Sequence, residues 1–131
     1  NRGIGGDEAQ FIDFRFEADV VQLKPKACII LVGVNNTWVL EDLKDENGFF
    51  QEEPTKEVIK TVVDAFESIF AKAKAAGIEM WICSCMPMGD GMPSIEARNK
   101  VLQRLNVEYK KLIEKTVLLN CLDSFFNDCS F

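Results

Sequence analysis

Apolar and polar positions along the chain change period repeatedly, and those changes divide it into alternating helices and strands. From residue 8 to about 23, Phe11, Phe14, Ala18 and Val21, with Phe16 beside them, recur at helical spacing behind Asp7, a residue type that caps helix N-termini. Pro25 closes that helix. Lys26 to Val34 (KACIILVGV) is instead a continuous apolar run rich in branched residues, the pattern of a strand buried on both faces. The stretch 35–53 is polar and acidic apart from Trp38 and Phe49-Phe50, and a connection of that length predicts a functional or partly helical excursion. Pro54 suits the first turn of a second helix, on which Val58, Val62, Ala65, Phe66, Ile69, Phe70 and Ala73 trace an apolar stripe. Gly77 ends it as a C′ glycine. Ile78 to Cys85 is a second strand, and 86–92 is a loop at its carboxyl end. A third helix opens at Pro93 or Ser94, with Ile95, Val101, Leu102, Leu105, Tyr109 and Leu112 facing inward, and Val117 to Leu122 is a third strand.

This alternation predicts a single α/β unit over residues 1–131 with a parallel sheet, in which ligands gather beyond the carboxyl ends of the strands. Residues 33–36 and 86–92 both fall at that edge. Hydrophobic residues make up 47% of the chain, enough to fill a core. A net charge of -6, with no Lys/Arg stripe, disfavours nucleic-acid binding, and an acidic surface does not favour anionic membranes. The longest apolar run, Ala27 to Val32, is far short of the roughly 20 residues that span a bilayer, so no transmembrane segment is expected. Five cysteines are an odd number without a disulfide framework, which favours a reducing, cytoplasmic compartment. Cys83 and Cys85 alternate along the second strand, so both are expected as small buried side chains on one face. Their spacing, with no histidine to complete a ligand set, gives no metal site. No cofactor is expected either, because Gly3-x-Gly5-Gly6 lacks the last spacing of a dinucleotide fingerprint.

Two short stretches carry the candidate chemistry. Asn1-Arg2-Gly3-Ile4-Gly5-Gly6-Asp7 leads into a helix, so Gly6 can present an unpaired N–H toward a developing negative charge. A plain strand-to-helix turn accounts for the same glycines. Asn35 follows Gly33 at the end of a strand, where its carboxamide can be held over a pocket rather than spent on its own turn. The chain has no histidine, so no serine or cysteine in it has the usual base. Trp38 and Phe49-Phe50 can line a substrate pocket or pack as a lid, and Met86, Met88 and Met92 bracket the same edge.

In these blocks the chain resembles the SGNH (GDSL-type) hydrolases, a family of esterases, lipases and lysophospholipases. The resemblance rests on Asn-Arg-Gly-Ile-Gly-Gly-Asp from Asn1, a helix, Leu23-Lys24-Pro25, and Ile29-Ile30-Leu31-Val32-Gly33-Val34-Asn35-Asn36. It implies a three-layer α/β/α, flavodoxin-like parallel sheet and a small-molecule carboxylic ester as substrate. Gly6 then fills the role of the family's block-two glycine and Asn35 that of the asparagine in its Gly-x-Asn-Asp block, the two oxyanion donors. Asn36 stands where the family has Asp, and Asn36 and Trp38 become candidate substrate-binding residues. The nucleophile block, Gly-Asp-Ser, and the Asp-x-x-His block are expected before Asn1 and after Phe131, making this an interior part of a domain of roughly 190 to 200 residues. Without the first strand, the 26–34 strand keeps an unpaired edge that invites homo-oligomerisation. The reading from a different class is a non-catalytic α/β module that binds an anion or carbonyl at Gly6 and Asn35.

Overall fold

The computed structural model describes residues 1–43, 52–91 and 94–115. In chain order these form α1 (Ala9–Asp19), a 3₁₀ turn (Val21–Leu23), β1 (Ala27–Ile30), a 3₁₀ segment (Asn35–Leu43), α2 (Glu52–Ala75), β2 (Glu79–Ile82) and α3 (Ile95–Lys115). The chain is thus mixed α/β, mostly helical, with two parallel strands that pair from Ala27 opposite Glu79 to Ile30 opposite Ile82. The predicted third strand, Val117 to Leu122, lies outside the described residues, as do Phe49-Phe50, Met92 and Pro93.

α2 matches its sequence pattern closely. Every residue of the expected stripe is buried, with Ile59 added. Glu52 and Glu53 lie in its first turn and Lys72 and Lys74 in its last, each sign complementing the local end of the helix dipole. Pro54 falls inside the first turn, where its missing N–H removes no helical bond. At the other end Gly77 adopts φ +69°, its N–H donates to Lys74 O, and the Ile78 N–H reaches back to Ala73 O at 2.9 Å. That pair of bonds is a Schellman closure, and it delivers the chain directly into β2.

Burial of the sheet differs from the expectation of two covered faces. Ile30, Val32, Met80 and Ile82 are buried under the helices, whereas Ile29 and Leu31 on the opposite face are 71% and 55% exposed. The described residues therefore form two layers, helices over one face of a sheet. The continuous apolar run in the sequence does not distinguish a covered face from a bare one.

α1 also departs from its expected orientation. Ala9 and Phe16 are its buried residues, while Phe11 and Phe14 are 57% and 88% exposed. The helix carries two competing apolar stripes, and long-range bonds choose between them. Lys72 of α2 binds both the carboxylate and the backbone carbonyl of Asp13, at 2.9 and 2.8 Å, which turns the Ala9–Asp13–Phe16 side toward α2. Asp7 is not the cap: its carboxylate pairs with Arg15, which also bridges Asp19.

Candidate functional site

β1 and β2 run parallel, so the chain leaves both strands at one edge of the sheet. The exit from β1 is fixed by α3. The Val32 carbonyl accepts the Tyr109 hydroxyl at 2.9 Å and the Cys85 thiol at 3.1 Å, all of it buried. Gly33 sits against that cluster with φ +117°, and an added Cβ would lie 2.5 Å from the Tyr109 hydroxyl. Only glycine fits both the dihedral and the space. Thr37 then closes the turn, its N–H and hydroxyl both donating to Val34 O, and Asn35 and Asn36 open the 3₁₀ segment.

These two asparagines hold the glycine-rich loop. Asn35 Nδ2 donates to the Asp7 carbonyl at 2.8 Å. Asn36, 4% exposed, accepts the Ala9 N–H on Oδ1 at 3.1 Å and donates from Nδ2 to Gln10 and Glu8. Asn36 thereby supplies the N-terminal cap of α1 from a distant part of the chain, since no side chain at the cap position itself does so. Asn36 is a scaffold residue here, with its carboxamide fully occupied.

Ile4 to Asp7 form a turn closed by Asp7 N–H to Ile4 O at 3.3 Å, and Gly6 takes φ +83° at its third position, as a type II turn requires. Gly6 N–H has no protein partner among the described residues, and one Asn35 amide hydrogen remains beyond the bond to Asp7. Gly6 and Asn35 thus share one corner, joined through Asp7, at the N-terminus of α1. This corner can offer two neutral N–H donors to a small anion or a polarised carbonyl.

Trp38 is not inserted in that corner. It is 43% exposed and lies under the Arg98 guanidinium, 4.1 Å from ring centroid to Arg98 Cζ. Arg98 is itself buried, bonded to Glu41 at 3.0 Å and to Thr37 at 3.4 Å, so α3 clamps the 3₁₀ segment that carries both asparagines.

The segment after β2 is held by two residues that the apolar periodicity of α3 did not single out. Asn106 pairs its carboxamide with the N–H and C=O of Cys85, at 2.8 and 3.0 Å. Asn99, two turns away on the same helix, does the same for Met88 at 2.8 and 3.3 Å. Each amide side chain imitates a neighbouring strand, which continues the ladder beyond the end of β2. Asparagines at i and i+7, beside the apolar stripe of α3, were the available signal.

The cysteines do not share a face. β2 stops at Ile82, and Asn106 turns Cys85 inward, leaving it buried while Cys83 is exposed. Burial pushes the Cys85 thiol up to about 11, with Cys83 adding slightly and the Tyr109 hydroxyl opposing. A thiol so placed stays protonated at neutral pH and is no nucleophile. Burial likewise raises the Tyr109 hydroxyl and half-buried Cys28. Among the described residues no group of acidic, histidine or cysteine side chains is placed to hold a metal ion, and no helix is long and apolar enough to cross a membrane. Compared with known proteins, the chain matches no family model and no curated relative.

Proposed function

We propose that this chain belongs to a carboxylic-ester hydrolase of the SGNH type, built on a flavodoxin-like α/β/α sheet, and contributes two of its oxyanion donors. The Gly6 N–H and the Asn35 carboxamide stabilise the negative oxygen of a tetrahedral intermediate, while the attacking serine and its His-Asp pair lie in flanking sequence. The observation that carries the reading is the bond from Asn35 Nδ2 to the Asp7 carbonyl. It ties the carboxamide to the residue after Gly6, while the Gly6 N–H and one Asn35 amide hydrogen keep no protein partner among the described residues.

A chain extended to include the Gly-Asp-Ser and Asp-x-x-His blocks, assayed with p-nitrophenyl acetate, tests this. Asn35→Ala is expected to lower kcat by about 10²- to 10³-fold, the usual cost of one oxyanion donor, with unchanged far-UV circular dichroism. Turnover that survives the substitution undiminished overturns the assignment. The absence of histidine favours the second reading, a binding module that uses the same corner without turnover. Acetate binding that is lost in Asn35→Ala, in an extended chain devoid of esterase activity, would select it.

A further inference from the structure

Arg15 projects from α1 onto the glycine-rich loop and grips both of its flanks. Its Nη1 donates to the Arg2 carbonyl at 2.9 Å, ahead of the turn. Its Nε and Nη2 converge on a single Asp7 carboxylate oxygen, just after the turn, at 2.9 and 2.8 Å. Nη1 also meets Asp19 at 2.6 Å, one turn further along the helix, which fixes the guanidinium relative to α1. Between the two gripped residues lie Gly3, Ile4, Gly5 and Gly6, a stretch whose glycines give it little conformational preference of its own. A Cβ placed on Gly5 or Gly6 meets no described atom within 4 Å, so packing among the described residues does not shape the turn.

Asp7 is where these bonds join the rest of the corner. Its N–H closes the turn on Ile4 O, its carbonyl accepts the Asn35 carboxamide at 2.8 Å, and its carboxylate takes the Arg15 fork. Asn35 and Arg15 thus hold the same residue from two sides, one through the main chain and the other through the side chain. The Gly6 N–H, one peptide earlier, swings only as far as Arg2 and Asp7 allow. Lysine cannot take over this task. An ammonium is a point charge on a flexible stem, whereas the planar guanidinium meets three acceptors in fixed directions.

We propose that Arg15 is the positioning residue for the Gly6 N–H, holding both ends of the glycine turn so that this donor stays on the spot it shares with the Asn35 carboxamide. The inference rests on the reading of Gly6 and Asn35 as oxyanion donors. Its effect falls on chemistry more than on folding. The Arg15 side chain is 21% exposed, and ion pairs that water reaches add little to stability. A donor displaced by about 1 Å, by contrast, costs up to 10²-fold in rate.

Nitrogen-15 relaxation on the 131-residue chain tests the hold without any assumption about turnover. The Gly6 amide is expected to match α2 in the parent, with an order parameter of about 0.85, and to fall below about 0.6 in Arg15→Lys while α2 is unchanged. In the chain extended by the Gly-Asp-Ser and Asp-x-x-His blocks, Arg15→Lys is expected to lower kcat for p-nitrophenyl acetate by roughly 10- to 100-fold. KM should stay within about twofold and urea unfolding should remain cooperative, a split that a merely structural role would not produce. Asp7→Asn removes the charge from the fork but keeps the carbonyl that Asn35 binds, and it is expected to act alike should the lysine variant not fold. A Gly6 amide equally ordered in parent and variants, or already mobile in the parent, overturns the proposal. So does an unchanged kcat in an active extended chain, or a loss of rate matched by a loss of folded protein. An extended parent with no turnover overturns the hydrolase reading alone, and the Gly6 order parameters then decide the role of Arg15.

Discussion

Gly33→Ala tests how the end of β1 is held, because two separate costs meet at one atom. The backbone there has φ +117°, a region that side chains with a Cβ rarely adopt. Holding a non-glycine residue in such a region costs about 1–3 kcal/mol. The new Cβ would also lie 2.5 Å from the Tyr109 hydroxyl and 3.2 Å from Cys85 Sγ. Tyr109 has no solvent-exposed route of escape, since its ring packs on Phe66 at 4.7 Å between centroids and the residue is fully buried. Moving the hydroxyl breaks its bond to Val32 O and leaves a buried donor unsatisfied, a further loss of about 1–3 kcal/mol. The total, about 2–6 kcal/mol, is a large part of the 5–15 kcal/mol that holds a typical domain together.

Urea unfolding followed by circular dichroism measures it, and a double-mutant cycle with Tyr109→Phe separates the two costs. Tyr109→Phe alone loses one buried hydrogen bond, about 1–2 kcal/mol, but it also removes the oxygen that the new Cβ would strike. The double variant is therefore expected to be more stable than the sum of the single effects by about 1–2 kcal/mol. Strict additivity would refute the steric part of the reasoning and leave only the dihedral. A Gly33→Ala variant as stable as the parent would refute both.

Asn36→Ala removes the cap of α1 along with the bonds to Gln10 and Glu8, and should cost about 1–2 kcal/mol in the same unfolding assay, with faster amide exchange at Ala9. A loss below about 0.5 kcal/mol would show that water replaces the cap. Alkaline pH should destabilise the fold from about pH 9 upward. A folded thiol raised from 9.0 to about 11 binds its proton more tightly than the unfolded one, so its stabilisation is complete below pH 9 and is lost as pH rises to 11. Tyr109, raised in the same direction from 10.0, extends the loss above pH 10. Cys85→Ala should flatten the part of the stability profile between pH 9 and 11, and an unchanged slope would mean that burial does not hold that thiol neutral.

How much was legible in the sequence depended on whether a feature was local. α2 was readable because its stripe and its C′ glycine act within one helix, although Glu52 and Glu53, expected in the preceding loop, form its first turn. β1 and β2 were readable as strands, but β1 was expected to be covered on both faces, and Ile29 and Leu31 stand in solvent. An apolar run reports that a segment can be buried, and the partner that buries it lies elsewhere in the chain. α1 shows the same limit. Phe11 and Phe14 formed the more conspicuous stripe, yet Lys72 and Asn36, at a distance in sequence, fixed the other side inward.

The site was half legible for the same reason. Gly6 and Asn35 could be selected one by one, from a loop before a helix and an amide after a strand. Their meeting depends on Asn36 and on Tyr109, neither of which has a local pattern that announces it. The consequence concerns how any variant at this corner must be interpreted. Asn35 and Asn36 are adjacent, but the first keeps one amide hydrogen beyond its bond to Asp7 while the second has its carboxamide fully engaged. A substitution at Asn36 loosens the loop that carries Gly6, so it must disturb stability and ligand binding together. A substitution at Asn35 breaks a single bond to that loop and removes the amide hydrogen left over from it, so its effect on ligand binding should exceed its effect on stability. The ratio of those two effects, compared between neighbouring residues, separates a donor from a clamp without any assumption about what the corner binds.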